Sequence, residues 1–194
     1  MPHSSSPDLL TLHAVRLTGF ADAALIGHRF DLDPAATSVR LETFAADKWI
    51  VHSAFAGVSG WSLTEEGRRV NEVQLRQELD DTGGRPQVAE VHERFLPHNA
   101  TVSAACSAVQ LDPGPQTLEN CWQDLSMVAR QLRELERDVT SCLGRFAGYH
   151  RRFTTALFAA DNDPVWLTGT EVDSCHRVWF ELHEDLIATL GLSR

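Results

Sequence analysis

The chain has 194 residues, 43% of them hydrophobic and 23% charged, with a formal net charge of -10. That balance is ordinary for a globular protein of one sizeable domain or two small ones and does not read as a disordered chain. No apolar run approaches the roughly 18 residues needed to cross a bilayer, and Met1-Pro-His-Ser-Ser-Ser-Pro7 has no basic patch leading into an apolar core, so a cytoplasmic protein with no membrane partner is expected.

Asp8 to Thr18 carries Leu9, Leu10, Leu12, Val15 and Leu17, dense enough for a buried helix, and Gly19 stands where that helix should stop. Asp22 is placed to cap a short helix from Ala23 to Arg29. Asp33-Pro34 opens a third helix running to about Asp47, because the aspartate accepts orphan N–H groups and proline is tolerated at the first helical position. Trp49 to Phe55 is rich in aromatic and β-branched residues, Gly57 and Gly60 bracket a turn, and Trp61-Ser-Leu63 alternates apolar and polar, which together read as a hairpin. Thr64 then offers a capping hydroxyl with Glu65 and Glu66 in the first turn, so a helix starts at Glu65 and continues through Val70, Val73, Leu75 and Leu79. Thr82-Gly-Gly-Arg-Pro86 interrupts it as a domain boundary, with domains expected over 1–81 and 86–194.

Beyond the boundary, Val88 to Val109 reads as a helix that Pro97 should start, kink or divide, and Asp112-Pro-Gly-Pro115 reads as a loop. Leu118, Trp122, Leu125, Ala129, Leu132, Val139, Leu143 and Phe146 recur at three- and four-residue spacing, interrupted by Glu136, and predict one long helix with a packing seam. Cys121, Val128, Leu135, Cys142 and Tyr149 form a second stripe beside it. Gly144 and Gly148 should weaken or bend it before the pattern resumes through Phe153 and Phe158 to Ala160, and Asp161-Asn-Asp-Pro164 ends that run. A last helix is expected from Glu171 to Leu190, with Val172, Cys175, Trp179, Leu182 and Leu186 inward. Cys106, Cys121, Cys142 and Cys175 lie far apart within apolar patterns and read as buried reduced thiols rather than disulfides or metal ligands.

Helix, short helix, tight turn, helix, hairpin, helix is the order of a winged helix-turn-helix, and the expected fold class is mainly α with a small β-hairpin wing, followed by a C-terminal helical region. Over residues 8 to about 80, about 40% of the chain, the sequence resembles the MarR and PadR families of bacterial regulators. The resemblance rests on Asp33-Pro34, on Leu41 and Phe44 as inward residues of the third helix, on Trp49-Ile-Val51, and on Leu63-Thr-Glu-Glu-Gly67-Arg68. It implies a sequence-specific DNA-binding regulator, a repressor, acting as a homodimer through its C-terminal helices as PadR-like proteins do. The candidate DNA contacts are Ser38, Arg40 and Thr43 on the third helix, His52 and Ser59 on the wing, and Arg68 and Arg69 at the next helix start.

Charge sets a condition on that reading, because phosphate neutralisation dominates nucleic-acid affinity. Residues 1–85 hold one Lys, seven Arg and twelve acids, a net charge of about -4, and the wing carries no Lys or Arg. The alternative is a winged-helix fold used for protein contact or small-molecule sensing. Trp122, Phe146, Tyr149 and Trp179 supply aromatic surface for a small apolar effector, with core packing as the competing role. His150, Arg151 and Arg152 in sequence are candidates for an anionic group. His176 and His183 lie two helical turns apart, about 10 Å, too far for one metal even with Asp173, Glu184 or His150 nearby. No Gly-rich phosphate loop, nucleophile elbow or metalloprotease motif occurs, so neither an enzyme nor a cofactor is expected.

Overall fold

A computed structural model describes residues 3–55 and 57–192; Ala56 and the outermost ends of the two expected domains lie outside the described residues. The fold is mainly helical with one two-stranded antiparallel hairpin. The chain forms two compact units, one of Ser4–Gly83 joined by the chain end from Ala188, the other of Gly84–Ile187.

In the first unit α1 (Pro7–Thr18), α2 (Ala23–His28) and α3 (Pro34–Ala46) precede β1 (Ile50–Phe55), β2 (Val58–Leu63) and α4 (Glu65–Thr82). Each helix start is set by a short polar side chain that accepts an orphan backbone N–H three residues on. Ser6 Oγ accepts from Leu9, Asp22 Oδ1 from Leu25, Asp33 Oδ1 from Ala36 and Thr64 Oγ1 from Gly67, at 2.8–3.2 Å. Gly19, with φ 73°, ends α1. The inward stripes of these helices meet in a core of Leu12, Val15, Ile26, Leu41, Phe44 and Ile50, against which Trp49, Trp61 and Leu63 pack. Burial of each such aliphatic or aromatic side chain contributes about 1.5–3 kcal/mol. His13 Nδ1 meets Asn71 Oδ1 at 3.1 Å between α1 and α4, a buried polar contact that pairs the Asn71 carbonyl oxygen with the imidazole.

The hairpin departs from expectation at Gly60. Pairing runs without a bulge from Ile50 opposite Leu63 to Phe55 opposite Val58, and Gly60 lies inside β2 opposite Ser53 rather than in the turn. A Cβ there would meet Ala21 O and the Phe20 ring at 3.0 Å. The glycine admits Ala21, which exchanges backbone hydrogen bonds with Trp61 across the other edge of β2.

In the second unit α5 (Arg85–Leu111) and α6 (Pro115–Thr140) turn back on each other through the loop 112–114, and are followed by a 3-10 turn (Gly144–Phe146), α7 (Tyr149–Ala160), α8 (Val165–Thr168) and α9 (Cys175–Leu190). Pro97 sits inside α5, which runs through it as one helix rather than dividing. The long helix expected to Phe146 instead ends at Thr140, and Leu143 and Phe146 are buried in the turn that follows. Gly148, with φ 99°, reverses the chain before α7. Glu136, which interrupts the apolar seam, accepts backbone N–H bonds from Gly148 at 3.0 Å and His150 at 2.5 Å, so it caps α7 from another helix. The last helix begins four residues later than expected: Ser174 Oγ accepts from Arg177 N at 3.2 Å and donates to Gly169 O at 2.7 Å, holding the preceding segment in a turn. At its far end Ala188 packs with Leu9 and Leu75 of the first unit's own core.

Candidate functional site

The outer face of α3 is open. Leu41, Phe44 and Thr37 are buried, whereas Ala35, Ser38, Val39, Glu42 and Thr43 are exposed. Inward anchoring and outward exposure follow from the helical period, which sends residues three or four apart to the same side. The polar groups on that face are partly committed: Ser38 Oγ donates to Pro34 O and Thr43 Oγ1 to Val39 O, both at 3.0 Å, and each oxygen keeps acceptor capacity. Arg40 is half-buried, and its Nε donates to Asp8 Oδ1 at 2.8 Å. That pairing offsets its charge and holds the guanidinium toward α1.

The hairpin carries two different faces. His52 and Trp61 oppose each other with ring centroids 4.7 Å apart, on the side where Ile50 and Leu63 join the core. Ser59 is exposed opposite Ala54. On the other side the tip pair Phe55 and Val58 is 86% and 60% exposed, and residues 50–63 contain no Asp, Glu, Lys or Arg. A wing expected to offer polar contacts therefore presents an uncharged apolar tip. Arg68 and Arg69 are exposed on the first turn of α4, and Arg69 is ion-paired with Glu66.

The four aromatic candidates of the second unit do not converge on one opening. Phe146 and Tyr149 line a cavity with Val91, Phe95, Leu132 and Leu182, but its volume is about 10 Å³, room for about one water. Trp179 stacks on Phe95 at 4.6 Å, meets Phe153 edge-on at 5.7 Å, and donates Nε1–H to Asn99 Oδ1 at 3.0 Å. Trp122 is half-buried on α6, outside the lining of that cavity. Phe146, Tyr149 and Trp179 are buried in the packing of the second unit.

What sequence spacing did not reveal is a buried ionic cluster beside the same cavity. Arg145 is ion-paired with Asp185, both side chains wholly buried, and the Tyr149 hydroxyl donates to Asp185 Oδ2 at 2.9 Å. Nearby in sequence, Arg152 donates to Asp173 at 2.6 Å and is ion-paired with Glu181 at 2.7 Å. Burial disfavours the Arg152 cation, yet the bonds to Asp173 and the charge of Glu181 outweigh it and hold its pKa above the ordinary value. Arg152 therefore cannot offer its charge to an anion from solution, unlike the exposed Arg151. The only advance signal was the placement of Glu181, Glu184 and Asp185 among apolar residues of the last helix.

His183 stacks against His92 and Phe95, whereas His176 is exposed. Among the described residues no group of three His, Cys, Asp or Glu is placed to hold a metal ion. The four cysteines are free thiols, Cys106 and Cys175 buried and Cys121 and Cys142 half-buried. Burial pushes the Cys106 thiol up to about 12, so it stays protonated and poorly nucleophilic at neutral pH. Among the described residues no helix is long and apolar enough to cross a membrane. Comparison with protein-family models, with curated proteins and with solved structures gives no match for this chain.

Proposed function

We propose that this chain is a sequence-specific DNA-binding transcriptional regulator, a repressor acting as a homodimer, with its first unit serving as a winged helix-turn-helix. The observation that carries the reading is the open outer face of α3, anchored by Leu41 and Phe44 and followed directly by the hairpin and α4. A helix held by its inner stripe with its outer face bare is what major-groove entry requires. Ser38 and Thr43 are the base-edge candidates, Arg40 a contact only when it exchanges Asp8 for phosphate, and Arg68 and Arg69 backbone contacts. In a dimer two copies of α3 would meet half-sites about 34 Å apart.

Two observations favour a second reading, a winged-helix module that binds protein. The hairpin tip is apolar and uncharged, and Arg40 is already paired with Asp8. Selection of bound genome fragments at low salt, with oligomeric state measured by sedimentation, separates the two. Enrichment of a near-palindromic site by a dimer supports the repressor; enrichment of nothing at low salt overturns it in favour of protein contact. Within an enriched site, Arg40→Ala should weaken binding in a mobility shift, and unchanged affinity removes Arg40 from the interface.

A further inference from the structure

The chain has one lysine and sixteen arginines, and many of the arginines, Arg16, Arg40, Arg69, Arg94, Arg145 and Arg152 among them, are held by carboxylates. Two that are not, Arg130 and Arg133, lie on α6 beside Arg137. Arg130, Arg133 and Arg137 are spaced three and four residues apart, so they share one side of the helix, within about 60° of arc and about 10 Å of axis. All three are exposed. Among the described residues neither Arg130 nor Arg133 is in an ion pair. Arg137 bonds the neighbouring Asp138 at 2.9 Å, and that carboxylate is shared with Arg94 at 2.8 Å, which leaves the trio with an excess positive charge.

The positive character extends to α7. Arg151 is exposed, and His150 is near enough to Arg133 that the guanidinium, after burial, lowers the imidazole's proton affinity. The acids on the same stretch are fewer and mostly occupied: Glu136 caps α7, Asp138 is bonded twice, and only Glu134 faces solvent uncommitted by a hydrogen bond. Within residues 127–152 the exposed arginines are Arg130, Arg133, Arg137 and Arg151 against the exposed Glu134, while Arg145 and Arg152 are held by Asp185, Asp173 and Glu181 from later in the chain.

We infer that this arginine face of α6, with Arg151, is a contact for the phosphate backbone of double-stranded DNA. This rests on the DNA-binding reading above and deepens it by supplying the cations that α3 and the hairpin lack. The arrangement selects a backbone over a small anion, because the three guanidinium groups are strung along an axis instead of converging on a point. A line of charges suits a duplex, which presents a phosphate every 3.4 Å or so along each strand. Arginine adds a forked, bidentate fit to phosphate oxygens that a lysine stripe would lack. Contacts of this kind fix affinity and carry no base information, so the stripe sets how tightly DNA is held and not which DNA.

The test is the salt dependence of binding by the full chain to a fluorescent duplex, read by anisotropy over about 50 to 200 mM salt. Arg130→Gln, Arg133→Gln and Arg137→Gln combined should flatten the log–log salt slope by about 2.7, about 0.9 for each phosphate no longer neutralised. The corresponding triple lysine variant should keep the slope, since it keeps the charges. A glutamine variant of unchanged helical circular dichroism whose slope equals that of the parent overturns the inference while leaving DNA binding intact. A parent chain that binds no duplex at low salt overturns the DNA-binding reading itself, and the inference with it. Displacement by polyglutamate as effective as by DNA of equal charge would assign the stripe to an acidic polypeptide and likewise overturn it.

Discussion

Gly67 in the Leu-Thr-Glu-Glu-Gly-Arg segment should be irreplaceable, for a reason that lies in its neighbour and not in its backbone angle. A Cβ built at Gly67 would lie 1.9 Å from the Trp49 carbonyl oxygen and 2.7 Å from its carbon, where real Cβ atoms stay beyond 3.0 Å. The obstructing atoms are backbone, so no side-chain rotation relieves the clash. Thr64 also locks the same place: its N–H donates to Trp49 O at 2.9 Å, and its hydroxyl lies 2.7 Å from Lys48 O and 2.9 Å from Trp49 O. Gly67→Ala gains about 0.5–1 kcal/mol from helix propensity. Against this stand about 1–3 kcal/mol of overpacking and about 1 kcal/mol for each Thr64 hydrogen bond broken as α4 moves off Trp49. The net expectation is a loss of about 2–4 kcal/mol, a fall of about 8 °C or more in Tm for a unit of this size. Urea melts of Gly67→Ala should show it, beside Arg68→Ala as an exposed control expected to change stability by less than about 0.5 kcal/mol. An alanine variant as stable as the parent refutes the argument.

Two further outcomes follow from the second unit. Asp185→Ala should cost about 3–5 kcal/mol, because it removes the carboxylate that pairs with the buried Arg145 cation and accepts from the Tyr149 hydroxyl, whereas Arg145→Met with Asp185→Leu should recover most of that loss. A double variant as unstable as the sum of its singles would show that the pair is not one electrostatic unit. His98 and His150 both titrate below the ordinary imidazole value, first because burial disfavours the cation and then because Arg94 and Arg133 lie close. Their folded-state pKa values are depressed, so the unfolded chain takes up protons first: stability is full above about pH 6.5 and falls as pH drops through that value. His150→Gln should reduce the stability lost between about pH 7.5 and about pH 5 in chemical denaturation, and an unchanged loss would remove His150 from the linkage.

Local chemistry in this chain is legible in the order of its residues. Asp22, Asp33 and Thr64 cap helices three residues ahead, an arrangement written within one turn, and Asp33-Pro34 and Gly19 mark a start and a stop by their own backbone preferences. The apolar period likewise placed Leu41 and Phe44 inward and left the rest of α3 outward. Residue order misled where a residue answered to a distant partner. Gly60 resembled a turn glycine but makes room for Ala21 inside a strand, and Glu136 looked like a flaw in a seam but caps a helix that begins thirteen residues later. The α6 pattern ran on to Phe146 because a buried stripe looks the same whether the helix continues or stops and folds its next turn back onto the same core.

The sequence by itself determined the helix starts of the first unit, the presence of the hairpin, the acidic balance and the lack of charge on the hairpin, since each is a property of neighbouring residues. Tertiary structure alone decided which cations remain available. Arg40 is drawn to Asp8, Arg145 to Asp185 and Arg152 to Asp173 and Glu181, across 21 to 40 residues of chain, while Arg130 and Arg133 keep their charge for solvent. Ion pairing depends on distance in space, and a count of arginines along the chain carries none of that distance.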